Sequence, residues 1–171
     1  MSSAAQAGAN HAIDQSKTHV GFDIGSLGFG KTHGEFRSVS ARLDVDFDKP
    51  QNSSVDFTVA TASVDTGSRQ LDDYIKGTFL DATDYPQMSF RSTSVRKLDA
   101  ASVEVRGDLT LHGVTRPLTV RVAVDGAESR AALGLTATAV IRRSDFGMKE
   151  AIPLVSDDVS IRVSTRTVVG N

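Results

Sequence analysis

The amino-acid sequence predicts an all-β fold, an extended antiparallel barrel of about eight strands with one short helix. Three observations support this prediction. Apolar and polar residues alternate along most of the chain, which is the pattern of half-buried strands. Turn-forming residues separate these segments at short intervals. The period changes to that of a helix in one segment, residues 67–80.

Composition indicates a single globular domain with a neutral surface. The chain has 171 residues, of which 39% are apolar and 23% charged, enough for one real core. A net charge of −2 argues against nucleic acid as a partner. The chain has no cysteine, so it has no disulfide or thiolate site. It has no apolar run of about 18 residues, so we expect no integral membrane insertion.

The first twelve residues predict a flexible leader, followed by one domain over residues 13–169. Ala5-Gln6-Ala7 resembles the end of a secretory signal, but no basic and apolar regions precede it. We therefore expect a mature periplasmic or secreted protein whose signal peptide is not present in this chain. An ordinary cytoplasmic leader remains the alternative.

The N-terminal half predicts three strands with one face apolar. Val20, Phe22 and Ile24 alternate in the first strand, which begins near Ile13 and ends in a glycine-rich bend. A long second strand covers residues 34–47. Phe36 is out of phase with its apolar series, which predicts a bulge near residue 37. A third strand covers residues 55–66.

Residues 67–80 predict a short amphipathic helix. Leu71, Ile75 and Phe79 recur at intervals of four residues, and Ser68 is a suitable N-cap. An apolar stripe of this kind must lie against the barrel wall or over an opening.

The C-terminal half predicts a central hairpin and three further strands. The hairpin covers residues 103–124, with a polar break at residues 112–117. One strand opens at Met88, and the last two contain Leu133–Ile141 and Val159–Val163.

Small residues on the presumed inner face indicate a cavity rather than a filled core. These residues are Ala41, Thr61, Gly107, Gly134, Ala137 and Ala139. The larger apolar residues that we expect to line the cavity are Phe22, Ile24, Phe29, Phe36, Leu43, Phe57, Leu71, Tyr74, Ile75, Phe79, Met88, Phe90, Leu109, Leu111, Leu133, Leu135, Phe146, Met148, Ile152 and Leu154.

Catalytic and metal motifs are absent from the sequence, so we predict no catalytic residue and no metal site. The four histidines form no H-E-x-x-H pattern, and no G-x-S-x-G occurs. His19 and His33 lie on adjacent predicted strands without an evident third ligand. Arg142, Arg143 and Asp145 predict an ion-paired loop anchor.

Several long segments resemble the signature blocks of the YceI-like family, which are lipocalin-like, polyisoprenoid-binding proteins. The segments are LGFGKTHGEF, SVDTGSRQLDDYIKGTFLDATDYPQMSF, GDLTLHGVTRPLTV and IRRSDFGMKEAIPLVSDDVSI. The resemblance extends from Ile13 to about Val168. It implies an extended antiparallel barrel around a long apolar tunnel, a bound isoprenoid, quinone or fatty-acyl chain, and a periplasmic or secreted location.

This sequence departs from the family at positions where histidine is frequent. Lys17, Ser26 and Tyr74 stand there instead, so a role of those imidazoles at a ligand head group is not carried over. His112 lies in the predicted hairpin turn, where structural hydrogen bonding is favoured over catalysis.

These observations together predict non-catalytic binding, storage or transport of a long apolar lipid, with no catalytic cofactor. Burial of each methylene contributes about 0.8 kcal/mol, so an apolar lining is sufficient for affinity. The long-chain lipid is the expected partner, with transient membrane contact and a homodimer left open. The alternative function is a stress-response adaptor that has a filled core and acts through its outer surface.

Overall fold

The computed structural model describes residues 9–13, 15–26, 30–46, 48–126, 132–152 and 154–169. Within these residues, eleven strands form one antiparallel sheet. The strands are β1 (Ala9–Ile13), β2 (His19–Ser26), β3 (Gly30–Phe36), β4 (Val39–Val45), β5 (Ser54–Ala60), β6 (Val64–Asp65), β7 (Gln87–Asp99), β8 (Ser102–Leu111), β9 (Val114–Asp125), β10 (Gly134–Arg142) and β11 (Val155–Val169). Helix α1 (Arg69–Tyr74) continues into a π-helical turn, Ile75–Phe79.

The sheet curls upon itself. Its strand order is β1-β4-β5-β7-β8-β9-β10-β11-β2-β3-β6. Strand β1 pairs with β4 on one side and with the end of β11 on the other, so hydrogen bonding continues around the ring at that end. The curled antiparallel sheet with one short helix confirms the predicted fold class.

Eleven strands appear where about eight were predicted, because local breaks divide two of the predicted segments. The second predicted strand is interrupted at Arg37 and Ser38, between β3 and β4, which is where the change of phase predicted a bulge. A 3₁₀ turn, Thr61–Ser63, separates β5 from β6. The remaining additional strand is β1.

Strand β1 corrects the predicted leader. Residues 9–12 were assigned to it, but they pair with Arg42–Val45 of β4. The pairing is made by backbone hydrogen bonds. The side chains of this segment show no apolar alternation that would predict a strand. Residues 1–8 lie outside the described residues.

The central hairpin has the predicted faces but a tighter turn. Its register places Val105 opposite Val120. His112 and Gly113 alone form the turn, with φ values of 55° and 73°. Two consecutive residues with positive φ match the type I′ turn that suits the twist of a hairpin. Val114 to Pro117, predicted as part of the break, therefore belong to β9.

Helix α1 begins as the sequence predicts. The Ser68 hydroxyl accepts a hydrogen bond from the Leu71 amide at 3.4 Å. Ile75 and Phe79 are buried in the main apolar core, and Leu71 packs against it. The helical segment therefore lies with its apolar stripe toward the inside of the curled sheet.

Candidate ligand-binding cavity

The curled sheet encloses an apolar cavity of about 470 Å³. This volume lies within the range of about 300–1,000 Å³ that is typical of small-molecule sites. Inward-facing residues of β2 to β5 and β7 to β11 form its wall. The helical segment after β6 and the loop after β10 contribute the remaining lining residues.

The alternation of β9 shows how the sequence produces this wall. Leu118, Val120 and Val122 line the cavity, because alternate residues of a strand point to the same face. Thr119 and Arg121 between them are exposed on the outer face. A period of two in the sequence therefore separates the cavity from solvent.

Only two of the small residues expected to leave room line the cavity. These are Ala137 and Ala139, both on β10. The small residues that do not line it are Ala41, Thr61, Gly107 and Gly134. An alanine contributes little volume to a wall, so this part of β10 lies open to the lumen.

Gly107 has a different role, because a ring occupies the space beside it. A β-carbon at position 107 would stand 2.6 Å from Cζ of Phe90. Phe90 itself lines the cavity. Glycine at this position lets the ring lie close to the sheet, so that it takes less of the lumen.

The helical segment covers one part of the cavity with Leu71, Tyr74, Ile75 and Phe79. The rings of Tyr74 and Phe79 meet edge to face, with centroids 5.3 Å apart. Tyr74 is nevertheless 47% exposed. A side chain that lines the cavity and also contacts solvent marks an edge of this cover.

Arg143 brings a cation to the cavity wall. It is only 3% exposed and lies after β10 at the start of a 3₁₀ turn, Arg143–Phe146. Its guanidinium carbon is 4.9 Å from the ring centroid of Phe79, a cation–π distance. Burial lowers the pKa of this guanidinium, while the charges of Asp157 and Glu150 oppose that shift.

The loop after β10 is anchored differently from the prediction. Arg143 donates to backbone carbonyls and forms no ion pair with the described residues. Arg142 lies 3.9 Å from Asp158 on the exposed surface. The carbonyl of Asp145, rather than its carboxylate, accepts a hydrogen bond from Arg116 at 3.1 Å. The predicted anchor is therefore present, but its main bonds are made to carbonyls.

A carboxylate supports the same loop from outside the cavity. Asp157 accepts hydrogen bonds of 2.7 Å from both the hydroxyl and the amide of Ser144. These two bonds lower the pKa of Asp157, with the hydroxyl as the larger cause. The ionised carboxylate therefore holds the start of the 3₁₀ turn to β11.

Most of the residues predicted to line the cavity do so. They are Phe22, Ile24, Phe36, Leu43, Phe57, Leu71, Tyr74, Ile75, Phe79, Met88, Phe90, Leu109, Leu111, Leu135 and Met148. Their side chains belong to alternate positions of the strands or to the apolar stripe of the helical segment.

Four described residues of that prediction lie elsewhere. Leu133 and Phe146 are 1% and 4% exposed, but neither lines the cavity. Ile152 and Leu154 are 39% and 65% exposed, because their loop runs over the surface. Phe29 lies outside the described residues.

Besides glycines, residues with hydroxyl groups and Leu80, sequence reasoning missed two kinds of lining residue. The first kind is the smaller apolar residues on the same strand faces, namely Val20, Val55, Val59, Val105, Leu118, Val120, Val122, Val155, Val159, Ile161 and Val163. Period-two alternation would have found most of them. The second kind is Arg143, for which no sequence signal existed, since a charged residue in a turn is usually exposed.

The histidines of the described chain have separate surroundings. Nδ1 of His33 lies 2.9 Å from Oδ1 of Asp23, its cross-strand partner. Nδ1 of His19 lies 4.0 Å from a carboxylate oxygen of Glu35. His19 is four residues away from Asp23 along β2. The two imidazoles therefore do not share a site. Across the residues with described placement, no group of three or more potential metal ligands occurs.

His112 makes structural contacts in the hairpin turn. Its Nδ1 donates to the carbonyl oxygen of Phe146 at 3.1 Å. Its ring lies 4.8 Å, centroid to centroid, from the ring of Tyr85. The imidazole thus connects the hairpin turn to the 3₁₀ turn after β10.

Comparison with known proteins identifies the family. The model of the YceI-like domain matches residues 11–167. The chain belongs to the YceI-like family. It is 34% identical over 169 residues to Protein YceI of Shigella flexneri, covering 94% of this chain and 87% of that protein. It is also 34% identical to a UPF0312 protein of Pseudomonas syringae pv. tomato, covering 82% of this chain and 77% of that protein.

Solved structures show the same YceI-like fold. BcnA of Burkholderia cenocepacia superimposes with a TM-score of 0.83 at 27% identity, covering 90% of this chain and 98% of that chain. A polyisoprenoid binding domain from Saccharophagus degradans gives a TM-score of 0.75 at 13% identity, covering 95% and 99%. Among the described residues, no helix has the length and apolar character needed to cross a membrane.

Proposed function

We propose that this protein binds a long apolar lipid chain in its internal cavity, without catalysis, and stores or transports it. The single observation that carries the proposal is the cavity itself, whose wall is formed almost wholly by aliphatic and aromatic side chains. An isoprenoid, an isoprenoid quinone or a fatty-acyl chain has the surface that such a wall accepts. A periplasmic or secreted location completes the proposal.

The length of the wall favours a chain over a compact ligand. Lining residues follow β10 from Leu135 to Ile141. At about 3.3 Å per residue, this stretch of strand is about 20 Å long. A chain of about 16 methylenes would gain roughly 13 kcal/mol of gross stabilisation there, before ordering costs are subtracted.

The polar groups of the wall support binding rather than a reaction. Tyr74 and Arg143 are the titratable side chains among the described lining residues. The hydroxyls of Ser26, Thr32 and Ser89 also line the cavity. Among the described lining residues, none carries an imidazole or a carboxylate to act as the general base that activates a hydroxyl nucleophile.

The comparisons support the fold of a lipid-binding protein. The Saccharophagus degradans domain is described as polyisoprenoid-binding, but at 13% identity it carries the fold alone. The proposed class of ligand therefore rests on the apolar cavity of this chain. The cavity also argues against the alternative function, a stress-response adaptor, because that alternative requires a filled core.

Two neighbouring residues of β10 provide a matched test. Ala139 lines the cavity, whereas Val140 is 61% exposed on the outer face. Ala139→Phe should fill the lumen, and Val140→Phe should add the same kind of ring outside it. We expect wild type and Val140→Phe, denatured and extracted with organic solvent, to release about one long-chain lipid per chain in mass spectrometry.

We expect Ala139→Phe to release much less lipid and to take up less of an apolar fluorescent dye. Circular dichroism would show that each variant is folded. Folded wild type that neither releases lipid nor takes up dye would contradict the proposal, as would equal loadings of the two variants.

A further inference from the structure

Among the described residues that line the cavity, Arg143 alone carries a charge. The residue is buried, with only 3% of its surface exposed. An arginine remains protonated in proteins, so a full positive charge belongs to the wall of a largely apolar cavity. A buried charge of this kind is costly unless partners compensate it.

The partners of Arg143 compensate it only in part. Nε donates to the Ser156 carbonyl at 2.9 Å, and Nη2 donates to the Val155 carbonyl at 3.0 Å. Nη1 donates to the carbonyls of Met148 and Glu150 at 2.9 and 3.0 Å. A guanidinium has five N–H donors, so one N–H of Nη2 has no acceptor among the described residues.

All four acceptors are neutral carbonyls. Asp157 and Glu150 act on the guanidinium electrostatically, but neither carboxylate forms an ion pair with it. The carbonyl dipoles hold the guanidinium in place, while its net charge has no anion in contact. The cavity wall therefore has one site that favours negative charge, while the rest of the wall favours hydrocarbon.

We propose that Arg143 is the head-group subsite of this cavity, and that the preferred ligand is an anionic amphiphile. A carboxylate or phosphate oxygen of the ligand accepts the remaining Nη2 hydrogen bond, and the apolar chain lies along the wall. This inference rests on the proposed lipid-binding function. The half-exposed Tyr74 and the guanidinium both contact the ring of Phe79, so Tyr74 lies close to the proposed subsite.

Four ligands with the same C16 chain test the subsite in the wild-type protein. They are hexadecanoate, monohexadecyl phosphate, hexadecan-1-ol and hexadecylamine, each used to displace a bound apolar fluorescent dye. We expect one or both anions to displace the dye at about tenfold lower concentration than the alcohol, as a charge-assisted hydrogen bond implies. The amine should be the weakest. The two anions distinguish a carboxylate site from a phosphate site.

An alcohol or amine that binds as tightly as both anions would overturn the head-group assignment but leave lipid binding intact. Failure of all four ligands and of the dye to bind would contradict the proposed function, and the subsite with it. The two failures are therefore distinguishable without any variant.

Substitutions then assign the effect to this residue. Arg143→Gln should abolish the preference for the anions over the alcohol, measured as the ratio of their displacement concentrations in variant protein that circular dichroism shows to be folded. Arg143→Lys should retain part of the preference. Arg142→Gln removes the same charge from an exposed side chain next to it, so it should leave the preference unchanged. A loss of preference in Arg142→Gln that equals the loss in Arg143→Gln would refute a specific contact.

Discussion

The ring of Phe22 on β2 occupies the space in which a β-carbon of residue 34 would stand. The two residues are direct partners across β2 and β3. A β-carbon at Gly34 would lie 2.7 Å from Cε1 and 3.2 Å from Cε2 of the ring. Phe22 lines the cavity, so the glycine determines how close this ring lies to the wall and how much lumen remains.

Gly34→Ala should therefore reduce the volume of the lumen markedly but lower the free energy of unfolding only slightly. The displaced group is the far end of a side chain that can turn inward, so we expect a loss of about 1 kcal/mol in the free energy of unfolding. Dye uptake should fall clearly. Urea denaturation and dye titration measure the two effects.

Gly107→Ala provides the contrasting case. A β-carbon there would meet the backbone carbonyl of Arg91 as well as Phe90, and a backbone atom of β7 cannot turn away. We expect a loss of about 2–3 kcal/mol, larger than that of Gly34→Ala. Equal losses in the free energy of unfolding for Gly34→Ala and Gly107→Ala would contradict this difference between a displaced side chain and a displaced backbone atom.

The two faces of β9 should respond differently to a new carboxylate. Val120→Asp places an unpaired charge on the cavity wall, which should cost about 2–3 kcal/mol. Thr119→Asp places the same group on the exposed face opposite Arg106, so its effect should stay within about 0.5 kcal/mol. Thermal unfolding measures both, and a similar loss in the two variants would contradict the assignment of faces.

The helical segment should gate the exchange of ligand. Leu71 and Ile75 cover the cavity, and lid elements are drawn from the less stable parts of a fold. We expect Leu71→Ala with Ile75→Ala to accelerate lipid transfer to acceptor vesicles severalfold. Fluorescent lipid and stopped-flow mixing give the rate.

The control for this gate is Leu133→Ala, a buried leucine that does not line the cavity. It should lower stability by about 2–5 kcal/mol and leave the transfer rate near that of wild type. If transfer rates follow melting temperature across all these variants, the helical segment is a structural clamp rather than a gate.

Acid should weaken the bond between the 3₁₀ turn and β11. The pKa of Asp157 in the folded protein is lowered from its ordinary value of 3.8. The ionised carboxylate therefore stabilises the folded state above the unfolded-state pKa, and this contribution is lost as the pH falls through the folded-state pKa. We expect the unfolding midpoint to decline below about pH 4. Ser144→Ala removes the larger cause of the shift, so that decline should become less steep.

The same titration with Asp157→Asn provides the second arm. The amide does not ionise in this range, so the contribution of this group to the acid slope should disappear. A slope identical to that of wild type in both variants would place the acid sensitivity at other carboxylates, such as Asp65 and Asp99, whose pKa values are also lowered.

Sequence alone determined the architecture and most of the cavity wall. Alternation of Leu118, Val120 and Val122 with polar residues specifies a strand with one apolar face, and the intervals of Leu71, Ile75 and Phe79 specify a helical stripe. These are local properties, because the period of the backbone decides which side chains share a face. The Ser68 cap was predictable for the same reason.

Only the tertiary structure decided what lies inside the curled sheet and where its charge stands. Closure of the ring depends on the backbone pairing of β1 with β4 and β11, which side-chain patterns do not encode. Leu133 is as apolar as Leu135, but of the two only Leu135 lines the cavity. Arg143 is buried because carbonyls of the loop that follows it and of the start of β11 converge on it, and these hydrogen bonds exist only once the chain has folded.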